Sequence, residues 1–176
     1  MFESLDKFES SGFKFRFLDK KDKSFFVSLY TCPEVMRYIC QPFSKIEAEL
    51  LFENKISEQV KYERNRYVWL VGDSVEPLGL VGLTKVDSLW DIGAILSLTC
   101  LGKGNGTRVM SALLAKVFEQ YSLQRVVGTI PTVNIPCQKS VQKLGFEFSG
   151  KIKGGDNQIW YLERDNFKKG ESRKFK

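Results

Sequence analysis

Cys100-Leu101-Gly102-Lys103-Gly104-Asn105-Gly106-Thr107 carries three glycines at alternate positions. Before it runs an apolar stretch, Ile92 to Thr99, whose alternation of Ile95, Ser97 and Thr99 reads as a strand. After it, Val109, Met110, Leu113, Leu114, Val117, Phe118 and Tyr121 recur at helical spacing. Glycine has no Cβ, so such a turn can take positive φ and let its backbone approach a ligand closely. The first N–H groups of a helix have no partner inside it, and the helix dipole adds about half a positive charge there. That combination suits the holding of a phosphate. The competing reading is a flexible glycine turn before an ordinary helix. Two familiar phosphate loops do not fit. No Gly-Lys-Ser/Thr follows a glycine at P-loop spacing, and one residue rather than two separates Gly104 from Gly106, with no acidic residue about 20 positions on.

Acid–base chemistry is restricted by a second feature: the chain has no histidine. Proton transfer must fall to carboxylates, Cys, Tyr, Lys or water. The four cysteines, Cys32, Cys40, Cys100 and Cys137, show no C-x-x-C spacing. They read as reduced thiols of a cytoplasmic protein, with neither a disulfide framework nor a metal site.

The elements that must position these residues follow in order. A polar lead-in is expected over residues 1–12, and Phe13 to Phe17 alternates as a half-buried strand. Lys20 to Tyr30 has helical spacing, and Pro33 to Tyr38 is a short turn or helix closed by Pro42. Ser44 with Glu47 forms a capping box before an amphipathic helix carrying Ile46, Leu50, Leu51 and Ile56. Strands are expected at Tyr67–Val71, Leu78–Val86 and Trp90–Thr99, then the glycine loop and its helix. Arg125–Ile130 is a strand, parallel to its predecessor through the crossover helix. A helix from Cys137 to Leu144 stops at Gly145, and strands at Phe146–Phe148 and Gln158–Leu162 complete the chain. This order, β-α-α-β-β-β-α-β-α-β-β, gives an α+β domain: a mixed sheet with helices on both faces.

At 176 residues the chain fits a single domain, taken as 1–167, followed by a basic tail at 168–176. The tail holds five basic residues and one acidic one, so it accounts for most of the net charge of +6. It is expected to be a solvated end, which argues against nucleic-acid binding except within a larger assembly such as a ribosome. No run approaches the ~20 apolar residues of a membrane span, and Met1 to Asp6 lacks the pattern of a secretion signal.

The glycine loop resembles the pyrophosphate loop of the GNAT superfamily, the acetyl-CoA-dependent N-acetyltransferases. That pattern is Gln or Arg, two residues, Gly, one residue, then Gly or Ala, between a strand and a helix. Leu101-Gly102-Lys103-Gly104-Asn105-Gly106 matches it except at Leu101. Further on, Asn134-Ile135-Pro136-Cys137 and Lys143-Leu144-Gly145-Phe146 resemble the ribosomal-protein N-terminal (Rim-type) branch, with Cys137 in a Ser position. Pro33 to Tyr38 and Asp91-Ile92-Gly93 look like the same branch, whereas Arg108 stands where it usually has Glu.

The resemblance implies the GNAT fold, a mostly antiparallel sheet with a central splayed parallel strand pair. It implies acetyl-CoA as co-substrate, no metal, and transfer to a primary amine: a protein N-terminus first, a small molecule (amino sugar, polyamine or antibiotic) as the alternative. A binding module without turnover is the competing class. Leu98 and Thr99 would offer strand backbone to pantetheine, and Leu101, Gly102, Lys103, Gly104, Asn105, Gly106 and Thr107 would surround the pyrophosphate, with Lys103 toward the 3′-phosphate. Asn134 would contact pantetheine, or else cap a helix. Cys137 would protonate the leaving thiolate, or else be a packed thiol. Asp91 is the first candidate base and Glu34 the second; Asp91 reads equally as a solvated strand-edge residue. Trp90 and Tyr38 would line the acceptor pocket, and the protein would be a monomer or homodimer.

Overall fold

The structure, a computed structural model, describes residues 6–59, 65–102, 104–120 and 123–171, the last four by their backbone alone. Lys103, Tyr121 and the last five residues of the basic tail lie outside the described residues. Ser11 and Gly12, both at positive φ (52° and 81°), fold β1 (Lys7–Ser10) back on β2 (Phe13–Phe17). Positive φ at both central residues is what a two-residue hairpin requires. This corrects the expectation of a polar lead-in: Phe8, between Lys7 and Glu9, stacks on Phe15 at 4.5 Å and is buried.

Three helices follow: α1 (Lys23–Thr31), the single turn α2 (Pro33–Met36) and α3 (Lys45–Gln59). The capping box forms as read, with the Ser44 N–H donating to Glu47 Oε2 at 2.8 Å and the Glu47 N–H to Ser44 Oγ at 3.3 Å. The remaining elements are β3 (Arg66–Gly72), β4 (Pro77–Val86), β5 (Leu89–Leu96), α4 (Asn105–Gln120), β6 (Arg125–Pro131), α5 (Ile135–Lys143), β7 (Glu147–Lys151), β8 (Asn157–Glu163) and α6 (Arg164–Glu171). The strands form one sheet in the order β1-β2-β3-β4-β5-β6-β8-β7, antiparallel throughout except between β5 and β6.

Each face of the sheet buries its own helices. On one, Val109, Leu113, Leu114 and Val117 of α4, Val141 of α5 and Phe167 of α6 pack with Trp69, Leu83, Val126 and Leu162 of the strands. On the other, Phe26 and Leu29 of α1 and Phe52 of α3 meet Leu70 and Leu80. The expected α+β architecture with two covered faces is therefore the observed one.

Of the boundaries that differ from the sequence reading, two change what surrounds the glycine loop and the tail. β5 ends at Leu96 rather than Thr99: Ser97 makes one last bond to β4, its N–H to the Leu78 carbonyl (2.8 Å), and Leu98–Cys100 then closes into a 3-10 turn. Buried Cys100 draws that turn inward. At the other end, α6 carries helical backbone to Glu171, anchored by Phe167, whose ring centroid lies 5.5 Å from that of Phe118.

Gly79 of β4 is fixed by its neighbour: a Cβ there would lie 2.4 Å from the Ile95 carbonyl oxygen and 2.8 Å from the Leu96 Cα. Backbone of a paired strand cannot move aside cheaply, so Gly79→Ala should cost about 2 kcal/mol or more. Urea denaturation checks this; an unchanged midpoint would show that β4 and β5 are less closely paired than the register indicates.

Candidate active site

The parallel pair β5–β6 is where the sheet opens. β5 pairs with β4 over its whole length, Leu89 to Leu96, and β6 with β8 from Arg125 to Pro131. Between β5 and β6 a single pair registers, Asp91 with Val127. Beyond that pair Gly93 and Ala94 on β5 and Thr129 on β6 are exposed, although both strands lie in the middle of an eight-stranded sheet. A strand in that position normally buries its residues, so the exposure marks a slot open toward the C-terminal ends of the two strands. In α/β sheets that end of a parallel pair is the usual place for a ligand.

The closed end of the slot is tied by a side chain. Asp91 Oδ2 accepts the Thr129 hydroxyl at 2.6 Å, and Asp91 Oδ1 accepts the Thr129 N–H at 3.3 Å. Burial pushes the Asp91 carboxyl up from the ordinary carboxylate range, and the two Thr129 bonds, which favour the ionised form, oppose that rise. Asp91, Gly93 and Ile95 share the face toward α1–α3, where Ile95 packs; Trp90, Ile92 and Leu96 share the α4 face. Trp90 is thus in the core, beside Tyr67 at 5.8 Å, and not on the side of Asp91 where an acceptor pocket was expected.

Each strand of the open pair leads into a helix N-terminus. After β5 and its 3-10 turn, Gly102 and Gly104 stand at φ 78° and 74°, and a Cβ on either would meet no atom within 4 Å. Positive φ and vacant Cβ space are the features of a cradle that a ligand backbone approach requires. Intrahelical bonding in α4 starts with the Arg108 N–H to the Gly104 carbonyl at 3.2 Å. The N–H groups of Asn105, Gly106 and Thr107 precede it and have no acceptor within the helix. Gly106 has a packing reason as well, since its Cβ would lie 3.2 Å from Leu96 Cδ1. Arg108 sits over the Phe13 ring at 5.4 Å and touches Asn105 Oδ1 at 3.4 Å.

After β6 the chain enters α5 through Asn134, whose Oδ1 caps the helix by accepting the Cys137 N–H at 3.1 Å. The capping role that the sequence left open is therefore real, and the carboxamide NH2 is the part of Asn134 left to contact a ligand. Cys137, in the first turn of α5, is half-buried against the α4 core, and burial alone pushes its thiol up. The thiol is therefore protonated at neutral pH and poorly suited to nucleophilic attack. Glu34 lies on α2, which packs near β5, but its side chain is exposed. Its own backbone N–H and then the Cys32 thiol, 3.2 Å away, hold its carboxyl below the usual range.

The structure brings Asp91, the glycine cradle, Asn134 and Cys137 to the two strands of the opening and to the loops at their ends. Leu98 and Thr99 belong to the 3-10 turn and not to a strand, so pantetheine would meet a turn there. Three contributors were missed. Thr129 is invisible without the β5–β6 register. Val133 and Ile135, with Leu98 and Leu101, are 46% to 65% exposed and follow the ends of the two strands; exposed apolar surface of this kind is a feature of binding sites. A separate hollow between β1, β2 and β3, lined by Lys7, Lys14, Arg16, Asp73 and Glu76 among others, contains none of these residues.

Comparison with known proteins agrees with this geometry. A family model described as an acetyltransferase (GNAT) domain matches residues 13–147. No protein of curated function matches the sequence. Among solved structures, a spermidine N-acetyltransferase from Vibrio cholerae in complex with CoA and spermine superposes with a TM-score of 0.73 at 20% identity, covering 89% of this chain and 98% of that one. An aminoglycoside acetyltransferase, AAC(6')-Ib, in complex with coenzyme A gives 0.75 at 15% identity over 89% and 98% of the two chains. A GNAT acetyltransferase from Bacillus anthracis gives 0.76 at 17% identity over 90% and 99%. With its split parallel pair, its glycine cradle and a family match over most of its length, the chain belongs to the GNAT family of acetyl-CoA-dependent N-acetyltransferases.

Proposed function

We propose that the chain transfers the acetyl group of acetyl-CoA directly to a small primary amine in the slot between β5 and β6. The observation that carries this is the parallel pair that stops after Asp91–Val127, with a helix N-terminus following each strand. Acetyl-CoA supplies an activated thioester carbonyl. The N–H groups of Gly104 to Thr107 hold the pyrophosphate. Backbone of Leu98 and Thr99, the carboxamide of Asn134 and the apolar rim around Leu101 hold pantetheine. Leu101 supplies no donor, so the pyrophosphate relies on backbone N–H groups and the helix dipole.

Asp91 takes the amine proton, directly or through one water, as the amine nitrogen attacks. Burial that raises its carboxyl makes it a better base than Glu34, which is exposed and held low. Cys137, kept protonated by burial, donates its proton to the departing sulfur. A small cationic acceptor is favoured by the two carboxylates on this side, Asp91 on β5 and Glu34 on the neighbouring α2, and the polyamine and aminoglycoside acetyltransferases among the similar folds point the same way. A protein N-terminus is the second reading, supported by the sequence resemblance of Asn134 to Cys137 and Lys143 to Phe146 to the Rim-type branch.

CoA release from acetyl-CoA, followed with spermidine, kanamycin and a peptide bearing a free N-terminus, separates these readings. Turnover with spermidine or kanamycin alone supports the first; turnover with the peptide alone overturns it in favour of the second. Gly104→Glu should abolish acetyl-CoA binding in calorimetry while a folded circular-dichroism spectrum persists, because the new carboxylate enters the cradle at a φ of 74°. Retained affinity would move the pyrophosphate elsewhere. Asp91→Asn should lower kcat by about 100-fold or more. The pH profile of kcat/KM should have an acid limb above the ordinary aspartate range, activity falling as Asp91 is protonated; a limb at ordinary aspartate pH would remove Asp91 as the base.

A further inference from the structure

Thr129 has no part in the sheet that explains its hydroxyl. It pairs with Ile159 of β8 and is exposed, yet it reaches across the open side of β6 to β5. The two hydrogen bonds that the Asp91 carboxylate makes among the described residues both come from it, one to each oxygen. Two donors on one residue, gripping both oxygens, fix the rotation of the carboxylate as well as its location. They do so two residues beyond the last registered pair, where backbone pairing no longer holds the strands at a set distance.

We propose that Thr129 is a positioning residue for Asp91, its hydroxyl and N–H holding the carboxylate at the closed end of the slot in the orientation from which it takes the amine proton. This rests on the reading of Asp91 as the base. Among the described residues, no other side chain bonds the Asp91 carboxylate. Its partner on β4 is Thr84, whose hydroxyl accepts from Arg66 Nε of β3 at 3.3 Å. On β6 and β8 the same face carries Arg125 and Tyr161, which stack on each other at 4.9 Å, and on α2 Glu34 is bonded by Cys32. The bonds from Thr129 stabilise the ionised form, so losing the hydroxyl bond leaves burial opposed only by the backbone N–H and raises the carboxyl further.

The test compares Thr129→Val, Thr129→Ser and Asp91→Asn with the wild type. Valine keeps the shape and strand preference and removes the hydroxyl; serine keeps the hydroxyl. With acetyl-CoA and whichever of spermidine, kanamycin or the peptide gives CoA release, Thr129→Val should lower kcat about 10-fold or more with the KM for acetyl-CoA unchanged, and shift the acid limb to higher pH. Thr129→Ser should stay within about 3-fold of the wild type, since a charge-assisted bond of similar geometry remains. If Asp91→Asn keeps full turnover, the assignment of the base fails, and the positioning role falls with it. If Asp91→Asn is inactive while Thr129→Val matches the wild type in kcat and acid limb, the base stands and the positioning role is overturned. Carbon-13 NMR titration of the Asp91 carboxyl needs no acceptor: its pKa should rise in Thr129→Val and remain as in the wild type in Thr129→Ser. An unchanged titration in the valine variant overturns the proposal; should that variant not fold, Thr129→Ala is read in the same way.

Discussion

The feature on which the rest of the structure depends is a hydrogen-bond ladder that stops. β5 and β6 are held in one sheet by the strands outside them, by a single registered pair and by the Asp91–Thr129 bridge. Unpaired backbone groups in the middle of a sheet are costly when they are dry. They are tolerable where water or a ligand can reach them, and Gly93, Ala94 and Thr129 are exposed. An edge made inside a sheet is a surface to which an extended ligand can add its own amides.

Packing explains why the two halves do not drift apart. α4 crosses beneath the opening, and the side chains it buries meet residues from β4 and β5 on one side and β6 and β8 on the other in one continuous core. Each buried Val, Leu or Phe contributes about 1.5–3 kcal/mol, against about 1 kcal/mol net for each ladder bond not made. A few buried residues of α4 therefore outweigh the missing ladder. The same helix begins at the glycine loop, so the element that clamps the split sheet also carries the N-terminus proposed to hold the pyrophosphate.

Much of this could be read from the residues. Glycines at alternate positions between a strand and an amphipathic helix gave the cradle, and Gly145 ended α5 at φ 94° as its position implied. The mixed sheet followed from the order of periodic segments. What escaped the sequence was set by tertiary pairing. Phe8 looked like one apolar residue in a polar stretch, and only the Phe15 ring opposite makes its strand worthwhile. Ser97 and Thr99 alternate like strand residues, but their hydroxyls bond to each other at 2.9 Å and the backbone turns with Cys100. Trp90 lies one residue from Asp91 and on the opposite face, a distinction that rests on which face the core claims. Thr129 is 38 residues from Asp91 in sequence, and no local pattern could join them.

The most direct test of the account is an amide chemical-shift titration of the nitrogen-15-labelled protein with CoA. Saturable shifts confined to the amides of residues 96–107 and 128–137, with those of β1 and β2 unmoved, are the predicted result. Shifts centred on the hollow between β1, β2 and β3, or no saturable shift at the ends of β5 and β6, would contradict the claim that the interrupted ladder is the cofactor site.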